Sequence, residues 1–309
     1  MFYYQAYGLT VASEMELPEL AIYPEAAAPD VVIQWGQVER RPSSSWYESF
    51  DQAFVLSIAG VGYYEVRAGR TIIVESIQPD RRKTRVFLLG SAFGALLFQR
   101  GHIPLHGSAL AFSNHAYLFT GQSGAGKSTL AHAFTRRGYA LISDDVLATE
   151  LDARGVAHVC SAYPQQKLWP ASLEMFGSTG DGLETIWDGE SKYRIPVAAS
   201  FRAGRFPLKK LFRLSASPDI DKPLIREVSG AQKLQIVLDE TYRSFFVAEM
   251  GLQSAYFRKI TQIAQQLHIY ELIRPLEGTH PDELVDLVLA QSNNMSKGND
   301  HAIGRINEH

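Results

Sequence analysis

One short stretch of the chain holds the strongest chemical signal. Gly121-Gln122-Ser123-Gly124-Ala125-Gly126-Lys127-Ser128-Thr129 has the spacing G-x-x-x-x-G-K-[ST], in which backbone N–H groups curl around phosphate oxygens. A helix that starts just after the glycines adds positive potential. In this pattern Lys127 reaches the β- and γ-phosphates and the Ser128 hydroxyl ligates Mg²⁺. Gly121, Ser123, Gly124, Ala125, Gly126, Lys127, Ser128 and Thr129 are therefore the expected nucleotide-binding residues, and ATP with Mg²⁺ the expected cofactors. A glycine-rich turn capping an ordinary helix is the plain alternative. The flanks argue against it: Tyr117-Leu118-Phe119-Thr120 reads as a buried strand and Leu130 to Phe134 as a helix, the context the motif requires.

A second group follows. Tyr139 to Ile142 reads as the next buried strand, ending in Ser143-Asp144-Asp145. Ligands bind beyond the carboxyl ends of strands in α/β sheets, so one acid can hold Mg²⁺ while the other accepts a proton from an attacking hydroxyl. Asp144 is favoured as the base and Asp145, with Ser128, as the metal partner, although the sequence does not separate them. His106, in the strand expected upstream of the loop strand, is a third catalytic candidate. Lys192, Arg194, Arg202 and Arg205 form a basic cluster, and a cation closing over a γ-phosphate would neutralise developing charge. Lys192 and Arg194 are the members expected at the nucleotide. Lys167 and Trp169 are read as pocket lining, with core packing favoured for the tryptophan.

The surrounding elements divide the chain. Residues 1–80 carry short β-branched and aromatic runs broken by Gly, Pro, Asp and Ser, which predicts a small antiparallel β-rich N-terminal domain without chemistry of its own. Asp80 to Thr84 reads as a hydrophilic break, and Val86 to Gln99 as a helix buried on most of its surface. The strand–loop–helix–strand order from residue 105 to 145 is that of a nucleotide-binding α/β unit. Residues 177–189 are polar and glycine-rich enough to be mobile, and Ala26 to Asp30 is a loop. Apolar periodicity predicts helices over 230–240, 254–268 and Pro281 to Gln291. The expected organisation is thus an N-terminal domain over 1–80, a P-loop domain over 81–291 and a disordered tail over 292–309.

Composition excludes little but orders the defaults. The 309 residues are 46% hydrophobic and 20% charged with net charge −3, so no basic excess points to nucleic acid or an anionic membrane. Cys160 is the only cysteine, which removes an intramolecular disulfide framework and suits a reducing compartment. The start lacks signal-peptide character, and the longest apolar run, Val86 to Phe98, is too short to span a bilayer. A cytoplasmic protein is the expectation.

Leu105-His106-Gly107-Ser108-Ala109-Leu110, the loop, and then Arg137-Gly138 leading to Asp144-Asp145 resemble the catalytic domain of HPr serine kinase/phosphorylase. The same order is similar to that of phosphoenolpyruvate carboxykinases. The resemblance covers residues 100–150 tightly and extends loosely to about 290. It implies phosphate and Mg²⁺ roles for Lys127 and Ser128, base and metal roles for Asp144 and Asp145, and a place for His106 beside the transferred phosphate. Tyr7 to Val11, Pro18-Glu19-Leu20, Leu168-Trp169-Pro170 and Lys192-Tyr193-Arg194 look more like the HPr-kinase-like proteins of lasso-peptide gene clusters, which are implied to phosphorylate a serine of the precursor peptide. The N-terminal region departs from HPr kinase itself, and its downstream signature is absent. HPr kinases assemble as rings, so a homo-oligomer is one expectation; the buried helix at 86–99 suits a monomer equally.

The resulting expectation is an α/β protein with a P-loop core of HPr kinase/carboxykinase type, acting as an ATP- and Mg²⁺-dependent kinase on a serine-type hydroxyl of a peptide or small protein. The alternatives are an HPr-type protein kinase, an ATPase or nucleotide switch without an acceptor, and a carboxykinase-type small-molecule enzyme.

Overall fold

The computed structural model describes residues 1–25, 28–187 and 191–303, with side chains described as far as residue 292. Of the loop Ala26 to Asp30, residues 26 and 27 lie outside the described residues, as do residues 188–190, which include the end of the glycine-rich stretch at 177–189.

Apolar alternation in the first 76 residues builds an eight-stranded sheet from β1 (Phe2–Ala6), β2 (Leu9–Ser13), β3 (Ala21–Ile22), β4 (Val31–Trp35), β5 (Tyr47–Phe50), β6 (Ala53–Ile58), β7 (Gly62–Arg67) and β8 (Thr71–Ser76), in the order β3-β1-β2-β4-β8-β7-β6-β5. The expected antiparallel arrangement needs correction. β4 pairs in parallel with both β2 and β8, because the chain leaves the first hairpin and returns alongside it instead of turning directly back. The first hairpin closes on only Tyr7 and Gly8, at φ 57° and 74°, the two left-handed positions a twisted two-residue hairpin demands.

The hydrophilic run after this sheet is also not a break. Asp80 caps a helix, its carboxylate accepting from the Arg82 N–H at 2.9 Å, so α1 (Arg81–Phe87) begins there. A π-helical turn, Leu88–Ala92, joins it to α2 (Phe93–Gln99). The Tyr242 side chain lies against Gly90 and Gly94. One continuous core takes Phe54, Tyr64 and Val74 from the first sheet, Leu88, Phe93 and Leu96 from the helical segment, and Val146, Tyr163 and Phe246 from further along the chain.

The second sheet contains β9 (Ile103–Phe112), β10 (His115–Gly121), β11 (Ala140–Leu151), β12 (Ala157–Cys160), β15 (Arg205–Ser217), β16 (Leu224–Val228) and β17 (His268–Pro275). Its order is β10-β9-β11-β12-β15-β17-β16, and β10 also pairs with β15. A separate ribbon pairs β13 (Gln165–Leu168) with β14 (Tyr193–Pro196). β9 runs antiparallel to both β10 and β11, so the strand leading into the glycine-rich loop and the strand carrying the acids point the same way.

Helices cover both faces. Ile236 of α5 (Ala231–Asp239) and Ile260 and Ile263 of α7 (Gln253–Gln266) pack with Leu118 and Ile142 on one side. Phe134 of α3 (Lys127–Arg136) and Val285 and Val288 of α8 (Pro281–Ile303) pack with Phe119, Phe212 and Tyr270 on the other. The short helices α4 (Pro170–Met175) and α6 (Phe246–Glu249) complete the element list. The mixed α/β class is therefore observed. The last helix, expected to stop at Gln291, continues in backbone to Ile303, and the rest of the expected tail, 304–309, lies outside the described residues. No described helix is long and apolar enough to cross a membrane.

Phe246 links the two parts of the chain. It is fully buried, with its ring centroid 4.6 Å from that of Phe54 and 5.2 Å from that of Tyr47. Phe246→Ala is expected to cost about 3–5 kcal/mol of stability, read as a lowered midpoint in urea unfolding; an unchanged midpoint would mean that this contact contributes nothing.

Candidate functional site

The glycine-rich loop is wound as its spacing requires. Gly124 and Gly126 lie at φ 84° and 102°, in the left-handed region that side chains resist. A Cβ on either would meet nothing within 4 Å, so torsion and not crowding demands glycine there. α3 starts immediately at Lys127, which aims its free N–H groups at the loop's concave side. The Lys127 ammonium folds back on the loop, donating to the carbonyls of Gly121 at 2.8 Å and Gln122 at 3.0 Å. Burial lowers its pKa, and the nearby Glu240 carboxylate opposes that shift.

The paired acids do not end their strand, as the sequence suggested. β11 runs on to Leu151, and the pair occupies an irregular stretch within it. The register against β9 shifts between Leu141 and Ser143, and Asp145 sits at φ 80°, a conformation costly for a residue with a side chain. Asp144 lies opposite Ser108, Asp145 opposite Gly107, and Val146 opposite His106. Gly107 is needed there for closeness, since a Cβ would stand 2.4 Å from the Phe119 carbonyl oxygen.

The two carboxylates have different surroundings. Asp144, only 4% exposed, accepts from Ser108 Oγ at 2.5 Å, Ser128 Oγ at 3.1 Å and the Lys167 backbone N–H at 3.1 Å. Burial nevertheless raises its pKa, the hydrogen bonds from Ser108 and Lys167 offsetting only part of the effect. Asp145 pairs with Lys167 Nζ at 2.6 Å. His106 Nδ1 lies 3.5 Å from its Oδ1 and donates to its backbone carbonyl at 2.9 Å. Burial alone would raise the Asp145 pKa, but the Lys167 charge, aided by His106, brings it down to about 2. Lys167 is correspondingly held protonated: burial works against its charge and Asp145 more than restores it.

These groups line one cavity of about 310 Å³. Of the residues expected from the sequence, it gathers His106, Ser123, Gly124, Gly126, Lys127, Ser128, Thr129, Asp144, Asp145 and Lys192. Lys192 stands over the exposed Trp169 ring, 4.8 Å from its centroid, at the same wall; the core packing expected of that tryptophan is thus corrected. Gly121 is not on this wall. It backs onto Leu214 and contributes its carbonyl to Lys127. Ala125 faces a neighbouring cavity of about 410 Å³ with Met175, Leu276 and Leu284.

Two expectations are overturned by the placement of side chains. Arg194 is turned away toward the first sheet, where it shares Glu19 with Arg85 at 3.1 Å and 2.8 Å. Arg202 bonds to the Ser113 carbonyl and Arg205 to Glu150, so the expected basic cluster is dispersed among separate local partners. The expected pairing of Ser128 with Asp145 is also reversed: Ser128 meets Asp144, and Asp145 is engaged by Lys167.

Three groups escaped the sequence reading or were given no such role. Ser108 is brought to Asp144 by β9–β11 register, and Lys167 to Asp145 by the ribbon strand β13. The buried Glu240 accepts from Thr120 Oγ1 and, at 3.2 Å, from the Gly121 N–H, while its other oxygen meets Arg213 Nε at 3.2 Å. It pins the mouth of the loop from the far end of α5. No local pattern marks any of the three, because each contact joins segments distant in the chain. Among the described residues no group of three or more His, Cys, Asp or Glu forms a metal cluster. The donor set at Ser128 and Asp144 is instead one hydroxyl and one carboxylate, the hard oxygens suited to Mg²⁺ bound jointly with phosphates.

The Asp145–Lys167 pair makes a pH prediction. Asp145 is shifted down from 3.8 to about 2, so its contribution to stability is full above 3.8 and is lost as pH falls through the lower value. Lys167→Met is expected to lower stability at neutral pH by on the order of 3 kcal/mol. The gap from wild type should close as unfolding is measured at progressively more acidic pH; a gap independent of pH would show that the ion pair is not its source.

No family model matches the chain, and no curated protein matches it. Among solved structures, it is similar to the HPr(Ser) kinase/phosphatase from Coxiella burnetii, with a TM-score of 0.37 and 15% sequence identity over 67% of this chain and 99% of that one.

Proposed function

We propose that the chain is an ATP- and Mg²⁺-dependent kinase that transfers the γ-phosphoryl group to a serine-type hydroxyl of a peptide. The observation that carries this reading is the convergence, in one cavity, of a wound glycine loop, Lys127, the Ser128–Asp144 contact and the Asp145–Lys167 pair. Phosphoryl transfer needs positioning and charge neutralisation more than covalent help, and these are the parts it uses.

The loop N–H groups and Lys127 bind the β- and γ-phosphates once Lys127 exchanges its loop carbonyls for phosphate oxygens. Ser128 and Asp144 would hold Mg²⁺, which when bound supplies charge neutralisation at the phosphates. The adjoining cavity beside Ala125, with Met175, Leu276 and Leu284 in its walls, suits the nucleoside end. Asp145 orients the acceptor hydroxyl. The serine oxygen–phosphorus bond forms as the bond from the γ-phosphorus to the β–γ bridging oxygen breaks. The hydroxyl proton passes to the Asp145 carboxylate, and ADP departs. Its low pKa makes Asp145 a weak base, which suffices when the transition state is loose and demands little activation of the nucleophile. Lys167 and Lys192 face the transferring group with positive charge. The acceptor class drawn from the sequence resemblance is a precursor peptide of lasso type, phosphorylated in the cytoplasm.

The test is phosphate mass gained by a serine peptide incubated with protein, Mg²⁺ and ATP, alongside ATP consumption without peptide. Lys127→Ala is expected to weaken nucleotide binding and to reduce transfer by ~10²-fold or more. Asp145→Asn should retain Mg²⁺-dependent ATP binding but reduce transfer by ~10²–10⁴-fold. ATP consumption that needs no acceptor would instead favour an ATPase.

A further inference from the structure

A third cavity, of about 640 Å³, opens beside the first residues of the glycine loop, Gly121, Gln122 and Ser123. It meets the phosphate cavity at His106 and Ser123, which line both. The nucleoside cavity joins the phosphate cavity elsewhere, at Gly124, Gly126 and Thr129. In-line transfer puts the acceptor opposite the leaving group. If ADP departs on the Gly124–Thr129 side, the acceptor enters through the His106–Ser123 side. The third cavity opens at that junction.

Its walls carry a specific recognition group. After α5 the chain runs back along the start of β9: Thr241 bridges Leu105, the His106 N–H donates to Glu240 O at 2.8 Å, and the Tyr242 N–H donates to Pro104 O at 2.8 Å. This fixes Tyr242 beside His106, with ring centroids 6.1 Å apart. Arg243 follows at φ 51°, a left-handed conformation that no glycine relieves. Its guanidinium lies 4.7 Å from the Trp46 ring centroid and 5.4 Å from that of Tyr242. Among the described residues it makes no ion pair or side-chain hydrogen bond, and its buried Nε has no partner. The acids nearby are already engaged, since Asp239 and Glu240 both pair with Arg213. Phe245, 44% exposed, completes the rim.

A guanidinium held over aromatic rings, with the neighbouring acids already engaged elsewhere, is preorganised for a carboxylate. We infer that Arg243, held over the rings of Trp46 and Tyr242, is the specificity-determining residue for an acidic peptide, binding an Asp or Glu carboxylate close to the phosphorylated serine. This inference rests on the kinase reading above and adds the class of acceptor. The bonds exchanged are those already given: the serine oxygen gains phosphorus, ADP leaves with the bridging oxygen, and Asp145 takes the proton.

The experiment uses the full chain with Mg²⁺-ATP and a serine-centred peptide library randomised at the flanking positions. Phosphorylated products are sequenced by mass spectrometry for wild type and Arg243→Gln, and Mg²⁺-ADP binding is followed in parallel by thermal shift. The expected result is an enrichment of Asp and Glu beside the phosphoserine of about tenfold, absent in Arg243→Gln, with the ADP-induced shift equal in both. Phosphorylation without acidic preference, or a preference that survives Arg243→Gln, overturns the inference. ADP binding with no peptide phosphorylated overturns the peptide acceptor and leaves nucleotide binding standing. Absence of ADP binding in wild type overturns the kinase reading itself. Should Arg243→Gln fail to fold, Arg243→Lys, which keeps the charge but not the fork, takes its place: a reduced acidic preference supports the assignment and an unchanged one rejects it.

Discussion

A carboxylate taken out of water must be supplied with donors, and Asp144 meets that requirement from three elements at once. β9 gives the Ser108 hydroxyl, α3 the Ser128 hydroxyl and β13 a backbone N–H. Each donor is tied to its own part of the architecture, so satisfying Asp144 fixes the loop helix, the acid strand and the ribbon relative to one another. Leaving such a group short of partners costs more than any one of these bonds returns. That asymmetry makes Asp144 the joint on which the site's geometry turns.

Asp145 is stabilised in another way. Charge, not backbone donors, holds it, and the Lys167–Asp145–His106 line extends the site toward the segment that carries Tyr242. Two adjacent acids thus acquire different electrostatics: one raised by burial, one lowered by a paired lysine. Environments that push neighbouring acids apart are how a site divides roles between identical side chains. The unusual backbone at Asp145 lets consecutive residues of one strand address the same cavity, which regular pleating would forbid by sending them to opposite faces.

The first sheet is coupled to this centre by packing. Its Tyr7 N–H donates to Ser161 O at 2.7 Å, and its ring meets Phe93 and Tyr163, a few residues from Lys167. Glu19 draws Arg85 and Arg194 together on the same side. The basic residue that looked like a nucleotide ligand in the sequence is thereby committed to joining the sheet to the ribbon.

Features that local physics specifies are legible in the chain alone. Glycines at Gly124 and Gly126 must be glycines because their torsions demand it, and the strand–loop–helix order around Lys127 is written in hydrophobic periodicity and needs no distant partner. The same holds for the segment after Val86, apolar all round, and for α5 and α7, each of which carries its own apolar stripe. Tertiary structure decided everything that depends on register and on meetings between remote segments. Ser108 reaches Asp144 only through β9–β11 pairing, Lys167 reaches Asp145 across a ribbon, and Glu240 reaches the loop from more than a hundred residues away. The reversed partnership of Ser128 with Asp144 follows from a register shift and one left-handed residue. The sequence determines that two acids lie side by side; which faces the hydroxyl and which faces the lysine depends on the side-chain directions that the folded strand imposes.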